Sequence, residues 1–155
     1  MGATTIWERW NSLLPDGSIN PGEMTSFNHY ALGSIVDWLH EVVGGLSPME
    51  PGWKTVRVRP VPGGTLTWAE VSHESPYGLI KCKWETVDGQ FKLELEVPPN
   101  TKAVVILPDK QANIAFGEEE KGLTIGSGKY TMSCGYETKD WPPRSMHPMT
   151  GKAEE

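Results

Sequence analysis

The hydrophobic period changes once along this chain, near residue 50, and that change constrains its fold more than any other feature. Before it, apolar residues recur at helical spacing. Ile6, Trp10, Leu13 and Leu14 form one set, and Ala31, Leu32, Ile35, Val36, Leu39, Val42 and Val43 form a second. Steps of one, three and four place such residues on a single helix face. From Trp53 onward the period is two. Val56 and Val58 alternate with polar neighbours, as do Ile80, Cys82 and Trp84, and then Phe91, Leu93, Leu95 and Val97. That is the pattern of strands with one buried and one solvated face. Asp88-Gly89 between the last two runs predicts a tight hairpin turn. Residues 103–107 read as a short strand buried on both faces, and 113–116, 122–125 and 129–134 as shorter strands. The expected fold is α+β, with two or more N-terminal helices followed by an antiparallel β-sandwich.

Turn and cap residues set the boundaries. Thr4 or Thr5 caps a first helix that runs to Leu13-Leu14, with Glu8 three residues after Thr5 at capping-box spacing. Pro15-Asp16-Gly17-Ser18 ends it, and Asn20-Pro21-Gly22 is a second turn signal. Thr25 or Ser26 then caps a longer helix, 28–43, which Gly44-Gly45 stops. Ser47-Pro48-Met49-Glu50-Pro51-Gly52 reads as a linker. The expected division is therefore 1–46 helical, 47–137 sandwich, and 138–155 a polar, Pro-rich disordered tail. Two helices cannot enclose a core of their own. Segment 1–46 also offers more apolar surface than one edge of a sandwich needs, so it reads as a piece of a larger helical body.

Charge and composition remove several classes of function. The net charge is −6, without a basic block, which suits neither nucleic acid nor anionic membrane as a partner. No apolar run approaches the roughly 18 residues of a membrane span. The N-terminus lacks the basic and apolar regions of a signal peptide, so the compartment stays open, with the cytoplasm favoured. Cys82 and Cys134 make neither a disulfide framework nor a metal site by spacing; two separate thiols are favoured, though one bridge is allowed. His40, His73 and His147 share no ligand spacing, so no metal is assigned. Gly126-Ser127-Gly128-Lys129 lacks the phosphate-loop pattern, and no cofactor is expected. Seven tryptophans, with 17 glycines and 13 prolines, suit a turn-rich β domain, a sugar-handling surface, or both.

Three stretches resemble a known family. Gly2-Ala3-Thr4-Thr5-Ile6-Trp7-Glu8-Arg9-Trp10, followed by Gly22-Glu23-Met24-Thr25-Ser26-Phe27-Asn28-His29-Tyr30-Ala31-Leu32-Gly33, is similar to the C-terminal end of the bacterial and fungal α-L-rhamnosidases, glycoside hydrolase family 78. Pro51 to Pro60, and Pro98-Pro99-Asn100-Thr101, resemble parts of that family's C-terminal β-domain. The resemblance covers about 2–137. It implies an inverting glycosidase with an (α/α)6 catalytic barrel, of which this chain holds the last helices and the sandwich behind them. The motif that carries the family's general acid has no match here.

By the same resemblance, Glu8 is the general base. Such a base must be ionised and must orient a water against the sugar. Trp7 and Trp10 can form an apolar wall beside it, and Arg9 can favour ionised carboxylates nearby. From spacing alone, the favoured reading of Glu8 is a capping-box residue of a short helix. His29, 21 residues later, matches a family histidine that touches the sugar, and Asn28 is a weaker substrate contact. If Glu8 and His29 line one pocket, their functional atoms are expected on the order of 6–10 Å apart, the spacing of paired carboxyl groups across a sugar. The implied partners are a rhamnose-containing glycoside and the upstream barrel segment. Two other classes compete: a non-catalytic sugar-binding sandwich presenting Trp53 and Trp68, and an interaction module whose helix face docks on a partner chain.

Overall fold

The structure, a computed structural model, describes residues 2–108 and 122–137. The strand expected at 113–116 and the tail expected at 138–155 lie outside the described residues. The chain divides into two compact units, Met1–Leu39 and His40–Glu155.

In the first unit the helix expected up to Leu14 does not form. Residues 8–12 run through bends and turns, and Leu13 makes an isolated bridge with Ile19. Glu8 N–H donates to Ser26 O (2.9 Å), and His29 N–H to Ile6 O (2.9 Å). The Thr5 hydroxyl donates to Phe27 O (2.5 Å). Segment 5–8 is thus laced to segment 26–29. A ten-residue helix is marginal in water, and Thr, Ile and Trp are indifferent helix formers. The backbone groups of this segment find partners across the unit instead. The capping-box reading of Glu8 fails with that helix.

One short, broken helical run replaces the expected helix 28–43, so the two-helix expectation is not met. It consists of α1 (Tyr30–Gly33), α2 (Ile35–Trp38) and a π-helical turn, Leu39–Val43. The cap is His29 rather than Thr25 or Ser26: its Nδ1 accepts from Leu32 N–H at 3.2 Å. The Ser34 hydroxyl donates back to Ala31 O (2.8 Å), at the break between α1 and α2. Such back-bonding competes with the helical ladder and bends it. Within its own unit the apolar stripe is not covered, and Leu32, Ile35, Val36 and Leu39 are all exposed.

The second unit holds two four-stranded sheets. The first has the order β1-β2-β6-β7, with β1 Leu46–Pro48, β2 Thr55–Val58, β6 Lys102–Val105 and β7 Leu123–Ile125. The second has the order β3-β4-β5-β8, with β3 Trp68–Ser75, β4 Gly78–Val87, β5 Gln90–Val97 and β8 Gly128–Gly135. Val56, Val58, Ala103 and Val105 of one sheet share a core with Ile80, Cys82, Trp84, Phe91, Leu93 and Leu95 of the other. The Trp84 indole N–H donates to Val43 O at 2.7 Å, and the Trp84 and Phe91 rings lie 5.9 Å apart.

The sandwich corrects the sequence reading in three places. Leu46–Pro48 pairs antiparallel with Val56–Val58, so the expected linker opens on a strand. β2 and β6 run parallel, with Val56 opposite Ala103, so the sheets are not wholly antiparallel. β3 was not expected. Its inward positions Ala69, Val71 and His73 are only half-buried, which leaves little contrast between its two faces. Gly45 adopts φ +80°, and a Cβ there would collide with the Pro60 backbone; only glycine meets both demands. Cys82 and Cys134 form no disulfide. Burial pushes the Cys82 thiol up to about 12.

Candidate active site around Glu8 and His29

The lacing of 5–8 to 26–29 brings the two expected site residues together. Glu8 Oε1 lies 3.5 Å from His29 Nε2, and their side chains are 15% and 24% exposed. The other carboxylate oxygen, Oε2, accepts from Ser26 N–H at 3.0 Å. Glu8 and Ser26 therefore bind reciprocally, backbone to backbone and backbone to side chain. The contact is closer than the spacing expected across a sugar. Glu8 and His29 are neighbours in direct contact rather than groups facing each other across a gap.

Hydrogen bonding also sets the imidazole. Nδ1 accepts from Leu32 N–H, so the proton of the neutral ring sits on Nε2, facing Glu8. Glu8 keeps lone pairs on both oxygens after these contacts, and its side chain is partly exposed.

The remaining site residues separate. Trp7 is half-buried, with its ring edge-on to Phe27 at a centroid distance of 5.1 Å and 83°. Trp10 is fully exposed (100%) and walls nothing within its own unit. Asn28 is exposed, and its backbone N–H is held by the Ser26 hydroxyl at 3.2 Å. Arg9 Nε and Nη2 are buried without a hydrogen-bond partner among the described residues. A Cβ on Gly22 would stand 3.1 Å from Arg9 Nη2, so the loop passes close over the guanidinium. Sequence reasoning missed Ser26, whose backbone fixes the carboxylate; no side-chain pattern marks a backbone donor.

The first unit has almost no interior. Every buried hydrophobic residue among those described lies between Val43 and Val105, within the second unit. Ile6, Trp10, Ile19, Met24, Tyr30 and Trp38 are exposed. In the second unit, Trp53 is not an open platform. Its ring stacks on His73 at 3.8 Å and 20°, and meets His40 edge-on. Trp68 is 62% exposed. Among the described residues no three His, Cys, Asp or Glu side chains gather as a metal site, and no helix is long and apolar enough to cross a membrane.

Comparison with known proteins places both segments in one family. The bacterial alpha-L-rhamnosidase 6 hairpin glycosidase domain matches residues 1–43. The chain is 44% identical over 107 residues to an alpha-L-rhamnosidase of Streptomyces avermitilis, covering 69% of this chain and 10% of that protein. It is 38% identical over 138 residues to one of Alteromonas sp., covering 84% and 15%. The crystal structure of native alpha-L-rhamnosidase from Aspergillus terreus superposes with a TM-score of 0.67 at 52% identity, over 84% of this chain and 14% of that one. The Streptomyces avermitilis enzyme complexed with L-rhamnose gives a TM-score of 0.68 at 37% identity, over 85% and 14%. The chain thus spans a small part of the length of the relatives it matches. The model of the bacterial alpha-L-rhamnosidase C-terminal domain covers residues 45–122, half of the sequence, and the chain belongs to that family.

Proposed function

We propose that this chain supplies the general base, and one sugar-contacting wall, of an inverting α-L-rhamnosidase that removes terminal non-reducing α-L-rhamnose from rhamnosides. The observation that carries this reading is the Glu8 carboxylate, held by Ser26 N–H and faced by His29 Nε2, on a side chain that is partly exposed. In the reaction Glu8 takes a proton from water as the water oxygen bonds to the anomeric carbon. The bond from that carbon to the leaving oxygen breaks, and a general acid elsewhere protonates the leaving group. His29 donates from Nε2 to a sugar hydroxyl. Trp7 and Trp10 give apolar surface to the ring, and Asn28 adds a polar contact.

The general acid is assigned to an upstream barrel segment, and one feature of the first unit supports such a partner. The exposed stripe Leu32, Ile35, Val36 and Leu39 has no covering residues within its unit. The test is a chimera in which this chain replaces the matching region of the Aspergillus terreus enzyme. The chimera is expected to hydrolyse aryl α-L-rhamnosides, and the isolated chain to do so at a negligible rate, since general acid catalysis alone contributes about 10²–10⁴-fold. Turnover by the isolated chain at roughly 1–10³ s⁻¹, the rate of ordinary enzymes, would contradict the division of acid and base between segments.

A further inference from the structure

We propose that the outer face of the second sheet is a weak binding surface for a neutral, gluco-configured oligosaccharide, with Trp68 as its stacking platform. Trp68 opens the edge strand β3, lies on the solvated face of the sheet and is 62% exposed. Register carries one row of side chains from it across all four strands: Trp68 lies opposite Glu85, Glu85 opposite Lys92, and Lys92 opposite Ser133. The row therefore offers an aromatic ring, an acceptor, a donor and a hydroxyl in turn. Set by the spacing between strands, its length is on the order of 15 Å, the reach of a linear trisaccharide. The side chains of Glu85 and Lys92 are 42% and 51% exposed, and Ser133 is exposed. Glu85 and Lys92 meet at 3.6 Å as a surface ion pair. Such pairs contribute little, so both groups can turn to sugar hydroxyls at small cost.

Charge and area choose the occupant. Lysines and glutamates of this face pair across strands, Lys81 with Glu70 at 2.8 Å and Lys129 with Glu96 at 3.2 Å, besides Lys92 with Glu85. A face balanced in this way draws neither a polyanion nor a polycation. Thr86 N–H donates to Thr67 O at 2.7 Å, which continues the β3–β4 alignment to Leu66 and Val87, both exposed. The apolar surface is confined to that corner of a charged sheet, whereas a stable protein interface takes about 800 Å² per partner around an apolar core. A pyranose with equatorial hydroxyls matches the corner: its polarised C–H face packs on the electron-rich face of an indole, and its hydroxyls project sideways along the row. This surface does not depend on the catalytic reading of Glu8.

The experiment titrates the full chain with cellotriose and follows backbone amide and indole N–H shifts by heteronuclear NMR, with D-glucose and trigalacturonate as parallel probes. Cellotriose is expected to give saturable shifts at the Trp68 indole and at the amides of Glu85, Lys92 and Ser133, with a Kd on the order of 1 mM. Glucose, which spans one ring, and trigalacturonate, which is anionic, are each expected to bind more weakly, by roughly tenfold. Trp68→Ala removes the platform and is expected to weaken cellotriose binding by about tenfold or more, whereas Trp68→Phe, which keeps an aromatic face, is expected to lose less. Glu85→Ala/Lys92→Ala is expected to weaken it as well. All three variants alter exposed side chains, and an unchanged amide spectrum away from the row shows that the fold is kept. No saturable shift with cellotriose, shifts centred away from this row, an equal response to trigalacturonate, or unchanged affinity in Trp68→Ala would each overturn the proposal.

Discussion

Glu8 Oε1 and His29 Nε2 stand 3.5 Å apart, and the histidine is oriented by the start of the helix that it caps. His29 therefore has two separable roles. Its Nδ1 accepts a helix N–H, and its Nε2–H points to the carboxylate and the space beside it. In the chimeric enzyme, His29→Ala is expected to raise KM and lower kcat. His29→Asn restores a good cap acceptor but cannot reach the sugar, so it should recover amide protection at Leu32 without recovering KM. Hydrogen exchange and steady-state kinetics on the two variants separate the roles. If His29→Asn recovers both, the sugar contact is refuted.

The uncovered stripe of the first unit predicts sticky behaviour. The isolated chain is expected to bind ANS or to self-associate, as exposed apolar patches do. Val36→Lys with Leu39→Lys should reduce both, since these side chains are exposed and bury nothing in their own unit. Dye fluorescence and sedimentation check this. A monomer with no dye binding would show that the stripe needs no partner.

Much of the sandwich was legible in the sequence because strands with one buried face write a period of two. The Asp88-Gly89 turn shows why. Both residues have positive φ, +51° and +75°, as a two-residue hairpin turn requires. β3 was hidden because Ala69, Val71 and His73 contrast too little with Glu70, Ser72 and Glu74. The parallel pairing of β2 with β6 was hidden because strand neighbours are chosen by topology, not by local pattern. The first unit misled for a different reason: Ile6, Trp10 and Leu13 have helical spacing, but their backbone pairs elsewhere. Glu8 and His29 were found through resemblance, since a separation of 21 residues says nothing of distance. Their direct contact, and the part played by Ser26, came only from the fold.

Trp84 fills the core and satisfies Val43 O. Trp84→Phe removes the indole N–H and leaves both a void and an unpaired buried carbonyl. It is expected to cost about 2–4 kcal/mol. Thermal or urea unfolding of the full chain reads this, and a change below roughly 0.5 kcal/mol, the scale of neutral surface substitutions, would refute the assigned role.

Cys82 is predicted to be inert while the protein is folded. Burial raises its thiol from 9.0 to about 12, so its thiolate fraction at pH 8 is about 10³-fold smaller than in the unfolded chain, and the thiolate is the reactive form. Its folded value is raised, so this contribution to stability is present below pH 9 and is lost as the pH climbs towards 12. Alkylation with mass-spectrometric detection should modify Cys82 only on unfolding. Rapid native labelling of Cys82 at pH 8 would contradict the burial.

Glu8→Gln in the chimeric rhamnosidase tests the assignment of Glu8 as the base. Glutamine keeps the shape and can still accept from Ser26 N–H, but it cannot take a proton from water. The prediction is a kcat lowered by roughly 10²-fold or more with KM little changed. A Glu8→Gln enzyme with near-normal kcat would contradict the assignment.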